Sequence, residues 1–87
     1  MCFAKGNAQN QIINEDHSQF DLMGMVSPTF QNQGTANVVI DGRKVAPGES
    51  MPYNVPGVVL QNKIGIYFEQ DPTKTKILWV GFVKLTQ

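Results

Sequence analysis

The step Ile40-Asp41-Gly42-Arg43 constrains this chain more than any other feature. It joins two short runs, Val38-Val39-Ile40 and Arg43-Lys44-Val45, through a dipeptide that tolerates positive φ at two successive positions, as a type I′ hairpin demands. Fixing the turn fixes the register. Ile40 must oppose Arg43, Val39 must oppose Lys44 and Val38 must oppose Val45, so Val38, Ile40 and Val45 share the side that seeks a core. Arg43 lies beside the turn, where its charged head reaches water. A chain built on this hairpin needs further strands to cover the apolar side.

The residues after Pro28 supply them. Pro47-Gly48-Glu49-Ser50 predicts a second turn, and Pro52 and Pro56 hold residues 51–56 to an extended edge or loop path. Ile64, Ile66 and Phe68 alternate with Gly65 and Tyr67. After a turn at Asp71-Pro72-Thr73, a last strand is predicted from about Lys76 to Leu85. Both of its faces are apolar: Ile77, Trp79, Val83 and Leu85 form one row, and Leu78, Val80 and Phe82 the other. The Trp79 row is expected to pack in the core, leaving Leu78, Val80 and Phe82 for a neighbouring sheet or subunit. Gly65 and Gly81 are candidate positions to relieve crowding, permit a bulge or mark a bend where a sheet curls. Short strands separated by Gly and Pro turns predict an all-β fold, a small antiparallel β-sandwich or open barrel of five to six strands.

Residues 1–25 read differently. Asn7, Gln9, Asn10, Gln11, Asn14 and Gln19 dominate, and Ile12, Ile13, Phe20, Leu22 and Met23 keep no steady period. The segment is expected to be an extended N-terminal arm, with a helical turn around Ser18 to Met23, ahead of one β-domain over residues 26–87. Phe20, Leu22 and Met23 are its candidate interface residues. Removing the arm is expected to leave the β-domain folded.

Length, charge and cysteine usage narrow the function classes. With 87 residues there is room for one small core. Seven Lys and Arg balance seven Asp and Glu, which removes the long-range attraction that drives binding to nucleic acid or to an anionic membrane. A neutral chain lacks self-repulsion, so association is expected. Cys2 is the single cysteine, so no internal disulfide forms and no zinc site is built on cysteines. The opening Met-Cys-Phe-Ala-Lys runs into amides rather than an apolar signal core, so a soluble product of a cytoplasm is expected.

No residue pattern points to catalysis. Glu15, Asp16, His17 and Asp21 are metal-ligand types, but their spacing fits no hard-cation loop, and His17 has no nucleophile placed beside it. Gly34-Thr35 and Pro47-Gly48 lack the spacing of a phosphate loop and read as turns, like Asp41-Gly42. Lys63, Lys74, Lys76 and Lys84 with Tyr67 and Trp79 form no coherent single-strand platform if Trp79 packs inward. Tyr53, beside Pro52 on an extended edge, is a candidate interface aromatic. No catalytic residue, cofactor or metal is expected.

The run Phe30-Gln31-Asn32-Gln33-Gly34-Thr35-Ala36-Asn37-Val38-Val39-Ile40-Asp41-Gly42, followed by Val45-Ala46-Pro47-Gly48-Glu49-Ser50, resembles small β-sandwich structural proteins and modules of tailed bacteriophages and prophages. The likeness covers residues 28–52, and more loosely the strands to 85. It implies a non-enzymatic virion subunit, such as a capsid decoration, a head or tail fitting or a baseplate part, that packs on copies of itself or on larger virion proteins. The alternative expectation is a monomeric glycan- or peptide-binding module using Tyr53 and Trp79.

Overall fold

The computed structural model describes residues 5–53 and 59–86. Among them run eight strands: β1 (Lys5–Ile13), β2 (His17–Asp21), β3 (Met25–Asn32), β4 (Val38–Ile40), β5 (Arg43–Val45), β6 (Ser50–Pro52), β7 (Lys63–Phe68) and β8 (Leu78–Thr86). They form two four-stranded sheets, ordered β1-β8-β3-β6 and β2-β7-β4-β5, with every pairing antiparallel. The fold is all-β, a small β-sandwich.

The central hairpin forms in the register its turn dictates. Asp41 and Gly42 take φ of 51° and 81°, and Val38 pairs with Val45, Val39 with Lys44 and Ile40 with Arg43. Val38, Ile40 and Val45 are buried, while Arg43 is exposed. Gly48, with φ 83°, completes the Pro47 turn. Alternation along β7 buries Ile64, Ile66 and Phe68 and leaves Tyr67 outside. These side chains meet Ile13, Met25, Phe30, Met51, Leu78, Val80 and Phe82 of the first sheet in one core. Phe20 of β2 touches Phe30 of β3 edge-to-face, with ring centroids 6.3 Å apart, and so joins the two layers. Each large apolar side chain in this cluster contributes roughly 1.5–3 kcal/mol by leaving water.

Residues 5–25 do not lie outside the sheets as the expected arm, of which residues 1–4 fall outside the described residues. Residues 5–13 form β1 along the full length of β8, and residues 17–21 form β2 on the edge of the second sheet, so eight strands replace the expected five to six. The helical turn expected around Ser18 is a strand, bulged between His17 and Phe20, and the chain reverses at Met23-Gly24, where Gly24 has φ 85°. Tertiary pairing overrides the weak capping signal. Ile13, Phe20 and Leu22 are core residues, so a chain cut at residue 25 loses part of its core.

The two rows of β8 are also exchanged relative to expectation. Leu78, Val80 and Phe82 face the core, while Trp79 and Val83 lie on the outer face of the first sheet. Gly81 explains the choice. It interrupts the odd-numbered row, and the Trp79 ring lies where a Cβ on Gly81 would stand, a gap that suits a surface aromatic better than a packed layer. Both glycines lie against bulges of the neighbouring strand: Ser18 and Gln19 of β2 stand opposite Gly65, and the bulge of β3 falls at Ser27-Pro28, next to Gly81. Ser27 takes φ 47°, and these two residues of β3 stand opposite the single Phe82 of β8. Pro28 is tolerated there because the bulge already interrupts the regular ladder between β3 and β8.

Candidate functional site

The side chains expected at an interface are mostly committed elsewhere. Phe20, Leu22, Leu78, Val80 and Phe82 are 0–8% exposed and belong to the monomer's own core, which corrects their assignment to a partner surface. Met23, at 62% exposure, is the one that stands free. Tyr53 is half-buried, its ring edge-on to Phe30 at 5.9 Å and its hydroxyl donating to Asp41 Oδ2 at 3.3 Å. Burial, then the Asp41 charge, then that hydrogen bond push its phenol up from 10.0 to about 12.

Asp16 and Asp21, on either side of His17, are already engaged. Asp16 accepts the Phe68 N–H at 2.8 Å and a Gln70 side-chain N–H at 3.3 Å, and Asp21 accepts the Met23 N–H at 2.8 Å. His17 packs edge-on against Phe20. Among the described residues, no three His, Cys, Asp or Glu side chains converge as a metal site. An open depression of about 510 Å³ is lined by Gln70, Asp71, Pro72, Lys74 and Lys76. Asp71 there accepts from the Thr73 N–H and hydroxyl, and Lys74 pairs with Glu69 at 3.2 Å, so these two charges are already partnered within one loop.

The sheet edges differ sharply from one another, and sequence reasoning missed this. An edge strand presents unpaired N–H and C=O groups, and folded chains usually blunt it with short length, charge, proline or a bulge. Strand β6 has three residues and ends in Pro52, β5 has three residues with Arg43 and Lys44, and β2 is bulged and ends in Asp21. Strand β1 has none of these protections. It runs nine residues without proline or register shift, its one charge is the terminal Lys5, and residues 5–12 are exposed. At roughly 3.4 Å per residue it spans about 30 Å, more than half of the molecule's 52 Å long axis.

The direction of the β1 backbone follows from its neighbours. Asn32 N–H donates to Glu49, Asn32 C=O accepts from Gly48 and Pro28 C=O accepts from Tyr53, so from Pro28 to Asn32 the even-numbered residues turn toward β6. Gln33 N–H donates to Ile77 C=O, so the odd-numbered ones turn toward β8. Since Gln31 opposes Trp79, odd residues of β8 bond to β3 and even ones bond to β1. Phe82 opposes Gln9 and Val80 opposes Gln11, so odd residues of β1 complete that ladder. The N–H and C=O groups of Gly6, Ala8, Asn10 and Ile12 therefore point to the open edge.

Side chains flank this edge on both faces. Asn7, Gln9 and Gln11 share the inner face with Val80 and Phe82 but remain exposed. On the outer face stand Ile12, 52% exposed, the half-buried Trp79 and Val83, 37% exposed. No known protein family, curated protein or solved structure matches the chain.

Proposed function

We propose that the chain is a non-enzymatic assembly subunit that accepts a neighbouring strand along β1. The observation that carries this reading is the contrast among the four sheet edges, of which, among the described residues, only the longest is left unguarded. Backbone pairing supplies affinity in strand addition, and alternate side chains supply selectivity. The Asn and Gln side chains of β1 suit this because they hydrogen-bond to a neighbour without the desolvation cost of a charge. The resemblance of residues 28–52 to tailed-phage modules supports a virion particle as the setting, with assembly following synthesis in the host cytoplasm. A monomeric glycan or peptide binder has less support, since Trp79 lies outside the first sheet whereas Tyr53 packs on its inner side against Phe30.

Light scattering on the intact chain and on Ala8→Pro tests the reading. Ala8 N–H points to the open side, so proline there removes no bond of the β1–β8 ladder and blocks only an added strand. The wild type should exceed 9.6 kDa and the variant should fall to it, with unchanged far-ultraviolet circular dichroism. A wild type that is monomeric at all concentrations, or a variant of undiminished mass, overturns the proposal.

A further inference from the structure

Resting on that reading, we infer that the strand added to β1 is β1 of a second copy, antiparallel, with Gln9 opposite Gln9 on a two-fold axis normal to the sheet. An antiparallel pair related by a two-fold keeps like faces together, so the outer faces of both copies become one surface. Centring on Gln9 overlaps the whole strand. It also places Ala8 opposite Asn10 and Gly6 opposite Ile12 of the other copy. These are the four residues whose N–H and C=O groups face outward, so each opposed pair exchanges two backbone hydrogen bonds.

The side chains are self-complementary in this register. Gln9 meets Gln9, and Asn7 meets Gln11 of the second copy, both in non-hydrogen-bonded pairs where opposed Cα atoms approach to about 4.5 Å and side chains come closest. Every amide of the inner face thus faces an amide. On the outer face the half-exposed Ile12 lies across from Gly6, which offers room for its branched side chain. The two Lys5 ammonium groups fall at opposite ends of the joint, so the one charged position of β1 is not repeated against itself. The result is one continuous sheet across both copies, ordered β6-β3-β8-β1 and its mirror order in the second.

Disulfide trapping reads the register directly. In a Cys2→Ser background, Gln9→Cys places two thiols opposite each other at cross-strand disulfide range, while Asn7→Cys separates them by several residues. In a thiol redox buffer, Gln9→Cys should convert to a covalent species of twice 9.6 kDa and Asn7→Cys should not. Linking at both positions indicates parallel, in-register strands and overturns the inference, as does linking at Asn7→Cys alone. A native mass above 9.6 kDa with no link at Gln9→Cys overturns the register and leaves strand addition standing. A mass of 9.6 kDa for the wild type at every concentration overturns both. Hydrogen exchange on the unmutated chain provides a readout free of folding defects: the Ala8 and Asn10 amides should slow as concentration rises, and concentration-independent exchange refutes the pairing.

Discussion

Replacing Asn32 tests how this small core tolerates a polar group. Asn32 is 1% exposed, and its Nδ2 donates to Ala36 C=O at 2.8 Å and Val45 C=O at 3.0 Å, while its Oδ1 accepts the Gly34 N–H at 3.1 Å. One side chain thus ties β3 to the 33–36 loop and to the end of β5. Asn32→Ala leaves two carbonyls without these donors, whereas Gly34 N–H keeps its bond to Ile77 C=O. At about 1–3 kcal/mol for each stranded buried group, the loss is about 2–6 kcal/mol. A domain of this length holds roughly 4–13 kcal/mol in all, so the variant should melt about 10–30 °C lower.

Asn32→Asp separates hydrogen bonding from packing because it keeps the shape. The introduced carboxyl, facing carbonyl oxygens, ionises at higher pH in the fold than in the unfolded chain. Through that interval the folded state binds more protons, so stability falls as pH rises. Thermal melts of both variants across acid to neutral pH, followed by circular dichroism, give the result. A loss under about 1 kcal/mol for Asn32→Ala, below the cost of one stranded group, or a pH-independent Asn32→Asp, refutes the reasoning.

Two further substitutions probe the loops beneath the sheets. At Gly34 a Cβ would collide with Thr75 O, which accepts the Thr35 and Ala36 N–H groups, and stand 2.7 Å from Ile77 N, both main-chain atoms. Gly34→Ala should therefore cost about 1–3 kcal/mol by overpacking, and an unchanged urea midpoint would contradict that close approach. Glu69 accepts from Asn37 N–H at 3.1 Å, from the Asn37 side chain at 3.3 Å and from Lys74 at 3.2 Å. The Asn37 backbone bond, then Lys74, hold its carboxyl below the usual range. Its contribution is present above the unfolded value and is lost as pH falls through the folded one, so Glu69→Gln should melt lower at neutral pH and converge with wild type in acid. Equal separation at both pH values would sink this account.

Local chemistry made the middle of the chain readable. Asp41-Gly42 dictates a register by itself, and the Ile64, Ile66, Phe68 alternation names its own buried side. Strand β1 gave no such signal because both of its faces meet water, so selection imposes no alternation on Lys5–Ile13, and pairing with β8 is what makes it a strand. Periodicity found both rows of β8 but ranked them the wrong way round; the true order depended on the Gly81 gap and on Phe30 and Ile13 lying across the even row. The candidate surface was hidden for the same reason. Apolar residues such as Leu78 and Val80 read as interface groups, while the unguarded element is the amide-rich Lys5–Ile13, which composition assigns to an arm.

The weakness of β1 as a monomer element ties its order to association. Asn, Gln, Gly and Lys are poor strand formers, and Ile13 is the only residue of β1 that is buried. With little apolar burial and one hydrogen-bonded side, this strand should open at a lower free energy than β8 or β3, which are paired on both sides. A second copy adds a ladder on the open side without changing the core, so binding stabilises the strand that makes the binding surface. Charges in mid-strand would keep the monomer apart, and apolar residues would make the edge adhere to any exposed strand. A neutral row of amides avoids both, leaving the matching of backbone groups and opposed amides to set the choice of neighbour.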